Sequence, residues 1–182
     1  IAVDLFGQMA DYSVLESIAE EHNLRIIEDA AQSFGAEQNA RKAGTVGHIA
    51  TTSFFPAKPL GGYGDGGAIF TTDESLSEDI RAITNHGCKE REEHYLLGTN
   101  GRCDSLQAAI IHAKFPNFRD EEIRLRKEVG ARYTQALKDH VSVPTTHFGN
   151  SHIYAQYTIR SKDRNILAEA LKSQGIPVSY TH

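Results

Sequence analysis

Residues 25–29 read RIIED, a short apolar run that ends in two acidic residues. An amphipathic helix is predicted before this run, because Asp11 can cap a stripe of apolar residues at helical spacing: Val14, Leu15, Ile18 and Ala19. A Thr- and Phe-rich run at residues 50–55 predicts the next strand. Helices that alternate with short apolar strands favour a parallel sheet of the α/β class.

The middle of the chain continues this alternation. Residues 68–71 predict another strand, and Asp73 is placed to cap the helix that follows it. Residues 84–103 are polar and rich in Gly and His, which predicts a loop. Asp104 and Gln107 have the spacing of a capping box, so a third long helix is expected to begin there.

The pattern changes towards the end of the chain. Pro116 predicts a break in the third helix, because proline has no backbone N–H to donate. Residues 153–159 alternate between apolar and polar side chains, which predicts a half-buried strand. The next helix is predicted from four apolar residues at helical spacing: Ile166, Leu167, Ala170 and Leu171. This order is typical of the start of a smaller α+β domain.

Composition excludes several classes of protein. The 182 residues are 40% hydrophobic and 24% charged, which is ordinary for a globular chain and untypical of a disordered one. A net charge of −5 disfavours a protein that binds the phosphate backbone of nucleic acids. No run approaches the roughly 18 apolar residues of a membrane span, and the first residues do not predict a secretion signal. Cys88 and Cys103 do not make a disulfide framework.

Both ends of the chain resemble interrupted strands. The chain starts at Ile1, its only methionine is Met9, and residues 1–6 have the pattern of the middle or end of a strand. Residues 175–180 have the pattern of another strand. We therefore expect a piece of a longer protein.

A glycine-rich segment, GYGDGG at residues 62–67, satisfies the G-x-G-x-x-G pattern of dinucleotide-binding loops. That interpretation requires a strand before the motif and a helix after it, whereas here a proline-bracketed loop precedes it and a strand follows. Two interpretations remain. The glycines form a tight turn with positive φ, or their small size lets a flat ligand approach the backbone.

A second set of candidates is spread along the chain. Asp29 ends a predicted strand, where open α/β sheets bind ligands, and Ser53 ends the next one. Lys58 lies in an apolar frame between Pro56 and Pro59, which is unusual for a solvated lysine and favours a nucleophile. Pyridoxal phosphate chemistry needs such a lysine for a Schiff base and an aspartate for the ring nitrogen. The alternative for Asp29 alone is an acid that caps the next turn.

Several blocks of sequence resemble the DegT/DnrJ/StrS family of pyridoxal phosphate-dependent sugar aminotransferases. They are EDAAQSFG at 28–35, TSFFPAKPLG at 52–61, GDGGA at 64–68, HG at 86–87, GTNGR at 98–102 and QAA at 107–109. The resemblance covers essentially the whole chain. It implies the three-layer, aspartate-aminotransferase-like transferase fold. Residues 1–115 would be the C-terminal part of the cofactor-binding large domain, and residues 116–182 a linking helix and the start of the small domain.

The resemblance also implies roles for individual residues. Lys58 would carry the cofactor, Asp29 would pair with its pyridinium nitrogen, Gln32 would lie by the ring and its phenolic oxygen, and Ser53 would contact its phosphate. Asn100 would reach the phosphate of the neighbouring subunit's cofactor, so a homodimer is implied.

Two further residues are candidates for contacting the substrate. Arg102 could bind a carboxylate through its planar fork, although a structural ion pair is an equal alternative. His182 falls near a stretch that contacts substrate in the family, and its alternative is a frayed chain end. No metal site is expected, because the histidines and cysteines have no standard ligand spacing.

The family resemblance predicts a cytoplasmic enzyme that passes an amino group from glutamate to a keto sugar on a nucleotide, for surface polysaccharide or lipopolysaccharide synthesis. Residues 7–11, GQMAD, and 154–157, YAQY, look most like the branch that acts on UDP-linked N-acetylated 3-keto uronic acids, with a 4-keto sugar as the alternative. The family's phosphate loop and its cofactor-stacking aromatic would lie before Ile1. The rival prediction is therefore a catalytically incomplete fragment with only a scaffold or dimerisation role.

Overall fold

A computed structural model describes residues 1–90 and 92–179. Its five α-helices within these ranges are α1 (Tyr12–Glu21), α2 (Glu74–Thr84), α3 (Ser105–Asn117), α4 (Ile123–Leu137) and α5 (Arg164–Ser173). Its strands are β1 (Ala2–Val3), β2 (Ile27–Asp29), β3 (Glu37–Gln38), β4 (Arg41–Lys42), β5 (Ile49–Ser53), β6 (Gly67–Phe70), β7 (Cys88–Glu90) and β8 (Glu93–His94). A 3₁₀ turn covers Leu5–Gly7.

The main sheet has four strands in the order β1-β2-β5-β6. β1, β2 and β5 are parallel, with Ile27 opposite Ile49 and Asp29 opposite Thr51. β6 is antiparallel to β5, and Ser53 lies opposite Gly67. The predicted α/β class and the order of its first elements are confirmed.

Two of the predicted helix caps are present. The Asp11 carboxylate accepts a hydrogen bond from the Val14 backbone N–H at 3.4 Å, and the Asp73 carboxylate accepts one from Leu76 at 3.0 Å. The capping box at Asp104 is wrong: Asp104 is the residue before α3, but its side chain makes no capping hydrogen bond. Gln107, its predicted partner, is bonded elsewhere, to the backbone N–H of Tyr63.

The predicted strand at residues 153–159 is also wrong, because this segment has no regular structure. Ile153 is fully buried, and its backbone N–H donates to the Gly7 carbonyl at 2.9 Å. Tyr154 has a φ of 48°, which turns the chain out of any extended course. The alternation reflects separate contacts, with Ile153 in the core and Tyr157 in ring contact with Tyr133. Residues 176–179 are not a strand either, and Tyr180 lies outside the described residues.

Pro116 does not end its helix. The chain continues through a π-helical turn at Phe118–Glu122 into α4. Pro116 has no N–H to give to the helix ladder, and the π-helical turn begins two residues after it, where the Ile123 N–H donates to the Phe118 carbonyl. The turn directs Phe118 inward, where it is 1% exposed and stacks on Phe34 at 6.1 Å. Residues 84–103 are likewise not all loop, since they contain the β7–β8 hairpin.

The main core cluster of the described residues has seven buried members from the first 43 residues and one from later in the chain: Met9, Tyr12, Ala19, Ile26, Ala30, Ala36, Ala43 and Ile153. Ile153 therefore packs with residues from the start of the chain. The division of the chain at residues 115 and 116 stays a prediction.

Cys88 and Cys103 are both free thiols. None of the described helices is long and apolar enough to cross a membrane.

Two acids are fully buried and fully bonded. Glu28 accepts backbone N–H groups of Gly44, Val46 and Gly47 at 2.6 to 3.3 Å. The Asp4 carboxylate accepts from three groups at 2.8 to 3.0 Å, the Ala10 N–H, the Tyr12 hydroxyl and the Ser33 hydroxyl. Burial nevertheless raises the pKa of Asp4 to about 6. These bonds join the start of the chain to α1 and to the turn after β2.

His152 is the buried base of the same region. It is 5% exposed, its Nδ1 accepts the Tyr154 N–H at 3.0 Å, and burial lowers its pKa from 6.5 to about 4. In the unfolded chain His152 is protonated below about pH 6.5, whereas in the folded chain it is protonated only below about pH 4. Protonation between these two values therefore favours the unfolded state, and the free energy of unfolding falls as the pH falls from 6.5 to about 4.

We predict that replacing His152 with Gln removes this loss. The free energy of unfolding of His152→Gln, minus that of wild type, should rise by about 3 kcal/mol between pH 7 and pH 4. Asp4, whose raised pKa gives the opposite slope, is common to both proteins and cancels in the difference. Urea unfolding at several pH values measures it, with the exposed His147→Gln as the control. A difference that does not vary with pH would show that His152 is solvated.

Candidate functional site

The ends of two neighbouring strands build the candidate site. Asp29 is the last residue of β2 and Ser53 the last residue of β5. Because these strands are parallel and Asp29 pairs with Thr51, both side chains belong to the carboxyl edge of the sheet. The loop that carries Lys58 begins at this edge, between β5 and β6. The structure therefore places Asp29 and Ser53 at one edge of the sheet, and Lys58 in the loop that starts from that edge.

Asp29 is half-buried and only partly bonded. Its Oδ1 accepts the Ala31 backbone N–H at 3.0 Å, so the predicted cap of the next turn is present. Among the residues that the structure describes, no hydrogen bond or ion pair reaches Oδ2. One carboxylate oxygen thus holds the turn and the other is available to a ligand.

Gln32 lies in the turn that follows, and one backbone group fixes its amide. Its Oε1 accepts the Phe6 N–H at 2.7 Å. Because a backbone N–H can only donate, the amide atom that faces it is the oxygen, and the NH₂ group is directed away. Phe6 reaches this position with a φ of 63° inside the 3₁₀ turn. The sequence showed no signal for this role of Phe6.

Ser53 and Lys58 complete the edge. The Ser53 hydroxyl accepts the Phe55 N–H at 3.2 Å, which leaves its proton free to donate. Lys58 is half-buried in a turn in which its N–H donates to the Phe55 carbonyl at 2.9 Å. Pro59 and Leu60 beside it are buried, whereas Phe55 is 50% exposed. The apolar frame around Lys58 therefore covers one side only. Within the described residues, no side-chain hydrogen bond or ion pair of Lys58 is present.

The glycine-rich segment after Lys58 is not a positive-φ turn. None of its glycines, at positions 61, 62, 64, 66 and 67, has φ in the left-handed region. Gly61 and Gly67 are required because backbone atoms come close: a Cβ on Gly67 would lie 2.7 Å from the Thr52 carbonyl oxygen, and one on Gly61 would overlap the Pro56 carbonyl. A strand follows the segment directly, so it does not open a helix as a dinucleotide loop does.

Asn100 and Arg102 lie beside the C-terminal end of α2, where Asn100 forms an isolated β-bridge with Asn85. Both are exposed. The Arg102 guanidinium donates to the side-chain oxygens of Asn100 at 3.4 Å and Asn85 at 3.3 Å. No ion pair of Arg102 is present in the described part of the chain, so amides and not an acid hold it there. His182 lies outside the described residues.

The side chains named above keep hydrogen-bonding atoms and an amine that are suited to the groups of pyridoxal phosphate. An aspartate oxygen suits the ring N–H, and the directed Gln32 NH₂ suits a phenolic oxygen. The Ser53 proton suits a phosphate oxygen, and the Lys58 amine suits an aldehyde. The residues present therefore fit this cofactor. In residues 1–90 and 92–179, no group of three His, Cys, Asp or Glu side chains could hold a metal ion.

Comparisons with known proteins identify the family of the chain. The chain belongs to the DegT/DnrJ/EryC1/StrS aminotransferase family, whose model matches residues 1–181. It is 45% identical over 180 residues to the UDP-2-acetamido-2-deoxy-3-oxo-D-glucuronate aminotransferase of Pseudomonas aeruginosa, with 98% of this chain and 50% of the relative covered. It is 46% identical to a pleiotropic regulatory protein of Geobacillus stearothermophilus, with 97% and 48% covered.

Solved structures show the same fold. A DegT DnrJ EryC1 StrS aminotransferase from Brucella abortus superposes with a TM-score of 0.92 at 44% identity and covers 96% of this chain and 47% of its own. Ntda from Bacillus subtilis, solved with bound cofactor PMP, has a TM-score of 0.82 at 26% identity, with 94% and 40% covered. The chain spans about half the length of the curated relatives it matches.

The close approach at Gly67 yields a prediction about the edge. Gly67→Ala should lower the free energy of unfolding by roughly 2 kcal/mol, because the new methyl group would push β6 away from the Thr52 carbonyl. Gly66→Ala is the matched control, since its methyl group would meet only ordinary contacts at 3.6 Å. Denaturant unfolding of both variants measures the difference. Equal stabilities would mean that β5 and β6 are not this close.

Proposed function

We propose that the protein to which this chain belongs is a pyridoxal phosphate-dependent aminotransferase that transfers an amino group to a keto sugar carried on a nucleotide. The observation that carries the proposal is the parallel pairing that brings Asp29 and Ser53 to one edge, beside the loop of Lys58. The second carboxylate oxygen of Asp29, the hydroxyl proton of Ser53 and the amine of Lys58 are each suited to a group of the cofactor. Family membership supports the same reaction class.

The substrate that we propose is a UDP-linked N-acetylated 3-keto uronic acid, with glutamate as the amino donor. The Pseudomonas aeruginosa relative carries the name of an aminotransferase for such a sugar. Two segments typical of that branch, residues 7–11 and 154–157, adjoin in the structure, where a Cβ on Gly7 would lie 2.7 Å from the Ala155 nitrogen. A shared contact supports a shared role for them. A 4-keto sugar is the alternative acceptor.

The chain's own residues divide the work of this reaction. When bound, the cofactor supplies an electron sink for the carbon that loses its proton. Asp29 holds a proton on the ring nitrogen through its free oxygen, and Ser53 and Gln32 orient the ring by donating to its substituents. Lys58 Nζ, which the amine of the donor would displace from the cofactor, would then take the proton from the donor's α-carbon as general base and return it to the cofactor as general acid. Arg102, held by two amides, offers its fork to a substrate carboxylate.

We further propose that a homodimer completes the site, with Asn100 donating to the phosphate of the partner's cofactor. The exposure of Asn100 supports this assignment. Because the proposed substrate is a nucleotide sugar, we expect a cytoplasmic enzyme of surface polysaccharide synthesis. The alternative is a scaffold without catalysis. It has the regulatory name of the Geobacillus relative in its favour and the intact Lys58 and Asp29 against it.

The first test of this function asks which lysine carries the cofactor. Borohydride reduction of the protein with bound pyridoxal phosphate, followed by peptide mapping, should leave one pyridoxyl group on the peptide that contains Lys58. Lys42 and Lys89 are internal controls; Lys89 is paired with Glu78 at 2.8 Å. A label on either of them, or no stable label, would reject the assignment.

The second test separates the two roles of Asp29. Asp29→Asn keeps an oxygen for the Ala31 N–H but loses the charge, so the turn should persist while the ring nitrogen loses its counterion. Turnover of a UDP-linked 3-keto sugar with glutamate should fall by about a hundredfold or more, with unchanged thermal stability. Asp73→Asn at the α2 cap is the control and should retain full turnover. Near-native turnover in Asp29→Asn would leave Asp29 as a cap only.

A further inference from the structure

The loop at residues 54–67 carries Lys58, and backbone hydrogen bonds to Phe54 close it. The Phe54 N–H donates to the Gly66 carbonyl at 2.8 Å, and the Gly62 N–H donates to the Phe54 carbonyl at 2.7 Å. These bonds fix the ends of the loop to each other. Residues 61–64 are not paired to a strand, and they contact side chains of α3.

Gln107 binds this part of the loop first. Its Oε1 accepts the Tyr63 N–H at 2.9 Å. A Cβ at Gly62 would lie 2.9 Å from that oxygen, and one at Gly64 would lie 3.1 Å from Nε2. Because Gly62 and Gly64 have no Cβ, the Gln107 amide can pack directly against the backbone of the loop.

Lys114 makes the second contact, two turns further along α3. Its Nζ donates to the Gly61 carbonyl and lies 5.6 Å from the centre of the Tyr63 ring. Residues seven apart lie on the same face of a helix, so Lys114 and Gln107 approach the loop from one side. Ile111 lies between them, and its Cδ1 would be 3.6 Å from a Cβ at Gly62. Lys114 is half-buried and is in no ion pair of the described chain.

We propose that Gln107 and Lys114 are positioning residues that hold the 54–67 loop against α3 and thereby fix the backbone of Lys58. This inference rests on the proposed function, in which Lys58 carries the cofactor. Gly61 is three residues from Lys58, and the intervening Pro59 and Leu60 are buried, so a shift at Gly61 moves the lysine. Without the two side chains, the Tyr63 N–H and the Gly61 carbonyl would each lose the partner that the described structure gives them, and Gly61 is buried, so water would replace Lys114 poorly there.

The test uses paired substitutions in the whole protein. Gln107→Leu keeps the size but removes the acceptor, and Gln107→Glu restores it. Lys114→Met keeps the stem but removes the donor, and Lys114→Arg restores it. His112→Gln is the control, because His112 is an exposed residue on the opposite face of the same helix.

The first readout needs no cofactor. Hydrogen–deuterium exchange of peptides from 54–67 should be about tenfold faster in Gln107→Leu and Lys114→Met, since each loses one hydrogen bond of the closed loop. Exchange in the two restoring variants and in His112→Gln should match wild type. Wild-type exchange in both apolar variants would overturn the proposal, whichever lysine carries the cofactor.

The second readout links the loop to the reaction. In the same two apolar variants, kcat should fall about tenfold or more while KM for the nucleotide sugar is unchanged, because only the lysine is displaced. The restoring variants should recover kcat. A change in KM with an unchanged kcat would overturn the positioning role. If exchange accelerates but borohydride labels a lysine other than Lys58, the contact with α3 stands and the proposed function fails.

Discussion

Parallel pairing of β2 with β5, in the register that places Asp29 opposite Thr51, is the constraint on which the candidate site depends. It makes two strands that are distant in sequence end at one edge, so a carboxylate and a hydroxyl meet there. β6 then returns antiparallel, and the Gly67–Thr52 approach permits its contact with β5. A slip of one residue would turn Asp29 to the other face of the sheet and separate it from the ligand edge.

Buried acids stabilise the frame behind that edge. Asp4 joins the start of the chain to α1 and to the turn after β2, and its own backbone N–H donates to the Asp29 carbonyl at 3.0 Å. The 3₁₀ turn that follows Asp4 delivers the Phe6 N–H to Gln32. Removal of one partner from a buried network costs more than the bond itself, because the remaining groups lose both water and protein. The orientation of the Gln32 amide therefore depends on a residue that never touches the ligand.

The sequence predicted what is local and missed what depends on distant contacts. Asp11 and Asp73 cap their helices as expected, since a cap and its N–H are three residues apart. Asp29 and Ser53 end strands as expected, because apolar runs define their own ends. The local pattern predicts that Gln107 caps its own helix, but the Tyr63 N–H that it binds is 44 residues away in the sequence. The alternation at residues 153–159 predicts a strand for the same reason, whereas the Ile153 N–H is bonded to the distant Gly7 carbonyl and not to a neighbouring strand.

The central claim is that the sheet edge binds pyridoxal phosphate through Asp29 and Lys58. A crystal structure of the protein grown with pyridoxal phosphate tests it most directly, through the distance from the Asp29 carboxylate to the pyridine nitrogen. The account predicts a hydrogen bond of about 2.7–2.9 Å from the oxygen that does not hold the Ala31 N–H, with Lys58 Nζ joined to the cofactor. A cofactor bound away from this edge, or a ring nitrogen more than about 4 Å from Asp29, would contradict it.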